Sequence, residues 1–411
     1  MTSMNSQPEG QIPCSATLSF DDAQAILMEA ATPLGTERVL ISKAGRRVLA
    51  EPVIAAFDSP RRDTAALDGV AVCERDLASG RRRFRLIGAS YPGAPFGGNA
   101  LSGTAVRIMT GGALPAGAGR VVPLELLTEQ GEHVVLPASL PTRMHVRHRG
   151  ADFATGAAVL AAGRVIDPRA LVVAAAADAA ELIMWRRPRV YVIATGDELV
   201  APGNAADLDE GVPDSLSEAL QLMVRQWGGQ PIGATRTCDD ANAVSAAAEA
   251  ALEKCDVLVM AGGASRGDRD LARSSLARVG LKTCFAGVAM KPGKPVWYGR
   301  LGARHVLGLP GNPTAAMTTA RLFLVPLLTA LGGRGFRAGL DWQSRPIAGS
   351  AEETGPRESF LCGANVEGGV EIIGRQTASA QGMLASADLL VRRLPNSPSL
   401  HQGDQVQALR F

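Results

Sequence analysis

PRVYVIATGDEL (188–199) decides the fold. From Arg189 to Thr195 the run is apolar and rich in β-branched residues, without a polar residue at every second position, which is the pattern of a strand covered on both faces. It ends abruptly in Thr-Gly-Asp-Glu. Working outward, SEALQLMVRQWGG (217–229) reads as a helix closed by glycine, and PIGATRTC (231–238) as a strand. DDANAVSAAAEAALEK (239–254) reads as a helix opened by two acids, with Lys254 near its end. DVLVMAGG (256–263) is a second buried strand, DRDLARSSLARVG (268–280) a helix, and HVLGLPGNP (305–313) a strand with a stiff loop. Strands alternating with helices predict a doubly wound, mostly parallel sheet over 188–331. Such sheets bind ligands beyond the carboxyl ends of their strands. The loops TGDE (195–198), GGASRGD (262–268) and LPGNP (309–313) all follow strands.

The flanks read differently. Residues 1–16 look like a flexible leader. Ser19 is placed to cap a helix over AQAILMEAATPL (23–34), with Asp21 and Asp22 favoured by its dipole. ERVLISKAGRRVLAEPVIA (37–55) suits short strands or turns. Residues 56–157 carry many glycines and prolines between short β-like runs, such as VAVCE (70–74) and TAVRIMT (104–110). LVVAAAADAAELIMW (171–185) is Ala-rich and favours helix. After LGGRGFR (331–337) come short β-like pieces that suggest a small β-barrel or sandwich. The expected fold is therefore α/β and multidomain. A discontinuous helical linking domain (16–55 and 158–187) carries a β-rich inserted domain (56–157). The α/β domain (188–331) and a C-terminal β-barrel domain (332–411) follow.

Composition narrows the function. Lys plus Arg is 42 and Asp plus Glu 40 among 411 residues, a net charge of +2 that gives no general attraction to nucleic acid or anionic membrane. Aromatics at 4% argue against a base-stacking platform. The six cysteines form no CxxC pair, and a chain this long needs no staples, so they are expected to be reduced, buried and inert. The start shows no secretory signal. The apolar stretches 158–185 and 319–331 are interrupted, the second by Arg321 and Pro326, so no bilayer span is expected. A soluble, cytoplasmic protein is the expectation. No Ser-His-Asp order, Walker lysine loop or GxGxxG after the first strand is present.

Several short motifs carry chemistry. In GGASRGDRD (262–270) the glycines let backbone N–H groups turn toward an anion, and Asp268 and Asp270 suit a divalent cation against a phosphate; the plainer reading is a glycine turn before an acidic helix start. KPGKP (291–295) presents two ammonium groups on a proline-stiffened turn. Only five lysines occur in the chain (Lys43, Lys254, Lys282, Lys291, Lys294), so two in one turn point to an oxyanion role. Asp197 and Glu198 end a buried strand, where a carboxylate can hold a metal or a hydroxyl, or where Thr195 or Asp197 can cap a helix. GLPGNP (308–313) shapes a pocket wall or merely a turn. DTAALDG (63–69), RIMTGGALP (107–115) and VRHRGAD (146–152) add Asp63, Asp68, Thr110, Arg147, Arg149 and Asp152, each weak alone. RRRFR (81–85) reads as a solvated strand edge. His145 and His148 lie in a loop without a matching cysteine and read as ordinary loop residues.

Together these motifs change weight. DTAALDGVAV, GTAVRIMTGGALPAGAG, VRHRGADFATG, RPRVYVIATGDELVAPG, AGGASRGDRD, MKPGKP and GLPGNP occur in one order and resemble the molybdopterin molybdotransferase family, the MoeA proteins and the E domain of gephyrin. The resemblance covers nearly the whole chain. It implies insertion of molybdate into adenylylated molybdopterin, releasing molybdenum cofactor and AMP, with Mg²⁺ or another divalent cation. It implies a homodimer whose active-site cleft lies between the α/β domain of one subunit and the β-rich domain of the other. A molybdopterin adenylyltransferase and molybdoenzymes would be its protein partners. Residue by residue, it assigns Asp63, Thr110, Arg147, Asp152 and Lys291 to catalysis. Gly262, Gly263, Ser265, Asp239, Lys294, Pro310, Gly311, Asn312 and Pro313 would bind substrate, and Glu198, Asp268 and Asp270 the metal. The chain departs from the family pattern at Leu216, Ala151, Gly287 and Arg266. Leu216, Ala151 and Gly287 favour an alternative, a weakened paralogue that binds molybdopterin or the finished cofactor as carrier or scaffold, whereas Arg266 could replace lost positive charge. The adenylylating step is a further alternative, on similarity of the α/β domain alone.

Overall fold

The computed structural model describes residues 17–262, 271–374, 376–377 and 379–411. The chain forms two compact units. The smaller holds Arg38–Gly45 and Leu49–Ile183; the larger holds the chain up to Glu37, Arg46–Val48 and Met184–Phe411.

The larger unit is built on a six-stranded sheet of β1 (Arg189–Thr195), β2 (Gln230–Thr237), β3 (Val257–Ala261), β4 (Lys282–Ala286), β5 (Trp297–Leu301) and β6 (Arg304–Leu309), in the order β2-β1-β3-β6-β5-β4. The strands β2, β1, β3 and β6 run parallel to one another, and β5 pairs antiparallel with both β6 and β4. The unbroken apolar run of β3 has a simple cause. Val257 and Val259 join one core with Leu220 and Val224 of α1 (Ser217–Gln226), while Leu258 and Met260 join another with Val244 and Ala248 of α2 (Ala241–Leu252) and Leu276 of α3 (Leu271–Arg278). A strand that serves two cores cannot alternate with polar residues. The antiparallel pair is the part the sequence reading did not anticipate. The edge strand β4 leaves Lys282 and Cys284 exposed, so its signal is weak.

A helical run from Pro313 to Leu331 crosses the main core. It is α-helical over Pro313–Thr319, a π-turn over Ala320–Leu324, and α-helical again over Val325–Leu331. Its length and composition would suit a membrane span, but it is packed almost wholly inside the unit. Pro326 has no N–H and so cannot bond the Leu322 carbonyl in the ordinary helical ladder. The buried Gln24 side chain donates to that carbonyl instead, at 2.8 Å. Gln24 belongs to the helix Phe20–Ala30, which Ser19 caps by accepting the Asp22 N–H at 3.1 Å. Phe20 completes the junction, its ring 5.7 Å from that of Phe323 and 4.8 Å from that of Phe360.

The C-terminal strands are β7 (Gln343–Pro346), β8 (Glu358–Val366), β9 (Gly369–Ile372), β10 (Leu389–Arg393) and β11 (Gln405–Arg410), in the region where the sequence carries short β-like pieces. They pair in the order β9-β8-β10-β11-β7, and a bridge between Ile347 and Val370 brings the first and last strands back together.

The smaller unit has a six-stranded sheet in the order Arg120–Pro123, Gly69–Val72, Thr104–Ile108, Arg83–Ser90, His133–Val135, Thr128–Gln130. Val70, Val72, Phe84, Ala105, Val122 and Val134 pack on one face. Four readings are corrected. The RRRFR segment leads into an interior strand rather than an edge, although Arg83 and Arg85 themselves are exposed. The Ala-rich stretch is helical only over Pro168–Ala176, capped by Asp167; Asp178 at φ +67° ends it, and Glu181–Trp185 is a strand. TGDEL caps no helix: Leu199–Val200 follows as a short strand, and the Ser217 N–H is taken by Asp214 at 3.0 Å. Cys238 and Cys284 are exposed, because one lies just past a strand tip and the other on the edge strand; Cys255 and Cys362 are buried, and burial pushes both thiols up to about 11.

Candidate active site

In the larger unit the parallel register brings three loops to one edge. Ala194 is paired with Ala261, and Ala261 with Leu309, so the chain leaves the sheet side by side at Thr195, Gly262 and Pro310. The Gly262 N–H donates to the Leu309 carbonyl at 3.3 Å. Gly262 has φ +92°, and a Cβ there would lie 2.5 Å from the Thr195 carbonyl oxygen and 3.0 Å from its Oγ1. Only glycine fits that approach. The Gly262 Cα lies 3.5 Å from where a Cβ on Gly311 would stand, so the second and third loops touch. The Thr195 Oγ1 is buried with no hydrogen-bond partner among the described residues. Gly263, Ser265, Asp268 and Asp270 lie outside the described residues.

Around this edge the predicted residues separate by what they touch. The Asp197 carboxylate accepts the Asp239 N–H at 3.0 Å, which ties the β1 tip to the β2 tip. Glu198 is exposed, and its side chain makes no hydrogen bond or ion pair among the described residues. An unengaged carboxylate is the hard oxygen donor that a divalent cation takes. No group of three or more His, Cys, Asp or Glu forms a ready metal cluster among the described residues. Pro310 is buried, while Asn312 is exposed at the start of the helix, with Pro313 at its first turn, where the open N–H groups favour an anion.

The lysine turn is stapled to the same helix. Lys291 lies in the two-residue strand Met290–Lys291, which runs parallel to Glu358–Ser359. The Lys294 carbonyl accepts the Val288 N–H at 2.9 Å, and the Gly293 carbonyl accepts the Val296 N–H at 3.0 Å. Gly293 has φ +103°, and a Cβ there would lie 2.3 Å from Thr319 Cγ2. Thr319 is six residues from Pro313, roughly 9 Å along a helix axis. Neither lysine ammonium has a hydrogen-bond or ion-pair partner among the described residues.

In the smaller unit the predicted residues gather around the short strand Thr64–Ala65. Arg147 is paired with Thr64, and Ala113 bridges to Thr64 from the other side. The Asp63 Oδ1 accepts the Arg149 N–H at 2.8 Å, and its Oδ2 lies 3.2 Å from His148 Nδ1. The Arg149 amide, above all, holds the Asp63 carboxyl below its ordinary value. The Asp68 Oδ1 accepts both the Thr110 N–H and the Thr110 hydroxyl at 2.7 Å, which lowers the Asp68 carboxyl likewise. Arg147 is exposed with no ion pair among the described residues, whereas Asp152 is fixed through its N–H, which donates to the Ser59 carbonyl at 2.9 Å. Sequence reasoning missed Asp58. It accepts the Thr155 N–H at 2.7 Å and its hydroxyl at 2.9 Å, pairs with Arg149, and is held down to about 2, chiefly by the Thr155 amide. The signal was the Asp-Ser-Pro triplet at 58–60, whose residue types favour side-chain to backbone hydrogen bonds. The departure Leu216, third in Asp214-Ser215-Leu216, is buried in the main core, so no polar side chain stands at that point.

Known proteins align with both halves. Residues 18–177 match the MoeA N-terminal region (domain I and II), and residues 191–330 match the probable molybdopterin binding domain. A molybdopterin molybdenumtransferase of Haemophilus influenzae is 31% identical over 77% of this chain and 78% of its own length. The Synechococcus elongatus protein of that name is 32% identical over 76% and 80%. The crystal structure of a molybdopterin biosynthesis MoeA protein from Pyrococcus horikoshii superposes with a TM-score of 0.82 at 27% identity, covering 96% of this chain and 99% of that one. With these matches beside the glycine-tight strand tips and the anchored aspartates, this chain belongs to the molybdopterin molybdenumtransferase family.

Proposed function

We propose that the protein inserts molybdate into adenylylated molybdopterin, giving molybdenum cofactor and AMP. The observation that carries this reading has two parts: strand tips packed as tightly as glycine allows, and, on a turn seated against the helix that follows one of them, two ammonium groups with no carboxylate partner among the described residues. Molybdate and a pyrophosphate linkage are both anionic, so Lys291, Lys294 and the N–H groups of the Gly262 loop and of the helix beginning at Pro313 would bind them and neutralise charge. Glu198, with Asp268 and Asp270, would hold Mg²⁺. A bound divalent cation would shield the charge between phosphate and oxyanion. Asp63, Thr110, Arg147 and Asp152 would complete the site from the β-rich domain of a second subunit, in a homodimer. Cytoplasmic location, a molybdopterin adenylyltransferase as supplier and a molybdoenzyme as recipient belong to the same reading. So do the doubly wound character of the central sheet, the four-domain division, and a C-terminal barrel, which the Ile347–Val370 bridge favours.

The test is to incubate the purified protein with adenylylated molybdopterin, molybdate and Mg²⁺, following AMP release and reconstitution of a molybdoenzyme. Absence of both overturns the reading. The second reading, a carrier or scaffold, rests on the buried Leu216 and on Ala151, and tight binding of the pterin without turnover would support it.

A further inference from the structure

A cavity of about 490 Å³ opens in the larger unit, and none of its lining residues belongs to the site described above. Its wall contains Arg321 of the π-turn, with Arg334, Arg345 and Arg410. Arg321 is the anomaly. Only 1% exposed, it sits in the middle of an apolar core helix. Its Nε donates to the Arg410 carbonyl and its Nη1 to the Gly339 carbonyl, each at 2.6 Å, and its guanidinium lies 4.5 Å over the Trp227 ring. Carbonyls and a ring face orient this charge without neutralising it, and no carboxylate pairs with it among the described residues. Burial lowers it to about 10, which still leaves it protonated at neutral pH. A buried charge left uncompensated is expensive.

The other three arginines do not offset it. The Arg334 and Arg410 side chains make no hydrogen bond or ion pair among the described residues, and Arg345 reaches only Asn365 Oδ1, at 3.2 Å. Two carboxylates also line the space, Asp341 and Asp388, and the latter accepts the Asn365 N–H at 2.9 Å. Four guanidinium groups against two carboxylates leave an excess of two positive charges.

We propose that this cavity binds a phosphate dianion. Guanidinium forks match the paired oxygens of a tetrahedral oxyanion, and a double negative charge balances the excess. The volume falls in the range of about 300–1,000 Å³ typical of small-molecule pockets, so the phosphate has room to arrive on a small ester. The two aspartates are then acceptors for its hydroxyls, and Trp227 an apolar wall.

The claim is independent of molybdate transfer, and its test reads binding, not turnover. The full-length protein is titrated calorimetrically with inorganic phosphate, ribose 5-phosphate and ribose. Phosphate or its ester should bind, and ribose should not. Binding should persist in a Lys291→Ala, Lys294→Ala double variant, which removes the anion holders of the proposed active site. It should weaken at least tenfold in Arg334→Gln, Arg410→Gln, two exposed positions, with thermal unfolding expected to be unchanged as the check that the variant is folded. Ribose 5-phosphate binding more tightly assigns the site to an ester, and equal binding assigns it to the free ion; both support the proposal. No binding of either, unchanged binding in the arginine variant, or loss in the lysine variant overturns it.

Discussion

Three aspartates of the smaller unit and three charged residues of the larger one stand in opposite states. In the smaller unit Asp58, Asp63 and Asp68 each accept at least one backbone N–H, and all three carboxyls are lowered. In the larger unit Glu198, Lys291 and Lys294 have no hydrogen-bond or ion-pair partner among the described residues. The difference suggests two jobs. Carboxylates satisfied by amides fix the shape of loops, whereas on the proposed reading the charges without partners among the described residues would be left for a ligand.

Breaking the free set should have the largest effect. Lys291→Ala should lower kcat/KM on the order of 10²- to 10³-fold, as removal of a preorganised charge does, while shifting stability by no more than about 0.5 kcal/mol. Steady-state AMP release and chemical denaturation measure the two. A large loss of stability would instead make the turn structural.

The anchored set predicts a graded result. Asp63→Asn keeps an acceptor for the Arg149 N–H and should lose less activity than Asp63→Ala, which frees that loop. Equal losses would mean that the negative charge itself, not the loop, is what matters.

Acid should separate the units. Burial, and then the charge of Arg300, hold His305 down to about 4 from 6.5, beside the Tyr298 hydroxyl at 2.7 Å. The folded state resists a proton that the unfolded chain accepts below 6.5. Stability is therefore full above that value and lost as pH falls toward 4, by at most about 3 kcal/mol. Asp58 has the same sign, but its window lies between 3.8 and about 2. Hydrogen exchange near pH 4.5 should show β5 and β6 losing protection before the loop around Thr155 does.

The smallest effect is at the helix junction. Gln24→Leu leaves the Leu322 carbonyl without its donor and should lower unfolding stability by about 1–2 kcal/mol in urea, with activity unchanged.

Much of this was legible. The strands β1, β2, β3 and β6, the helices between them and the C-terminal strands follow from unbroken or alternating apolar runs, and the scarcity of lysine alone singled out Lys291 and Lys294. Less legible was whatever depends on a distant partner. ELIMW (181–185) is a strand despite its Ala-rich approach, because Asp178 turns the chain out of the helix. Asp58 and Asp68 resemble any loop aspartate until the amides of Thr155 and Thr110 arrive from 97 and 42 residues away.

The sequence by itself determined which segments are buried and where the chain must turn, because hydrophobic period and glycine or proline placement are local properties. Tertiary structure decided which charges find partners among the described residues, since a carboxylate or an ammonium is engaged or open according to what distant backbone folds against it. Arg321 is the sharpest case: in the sequence it interrupts an apolar helix, and in the fold it is a buried cation at the wall of a cavity.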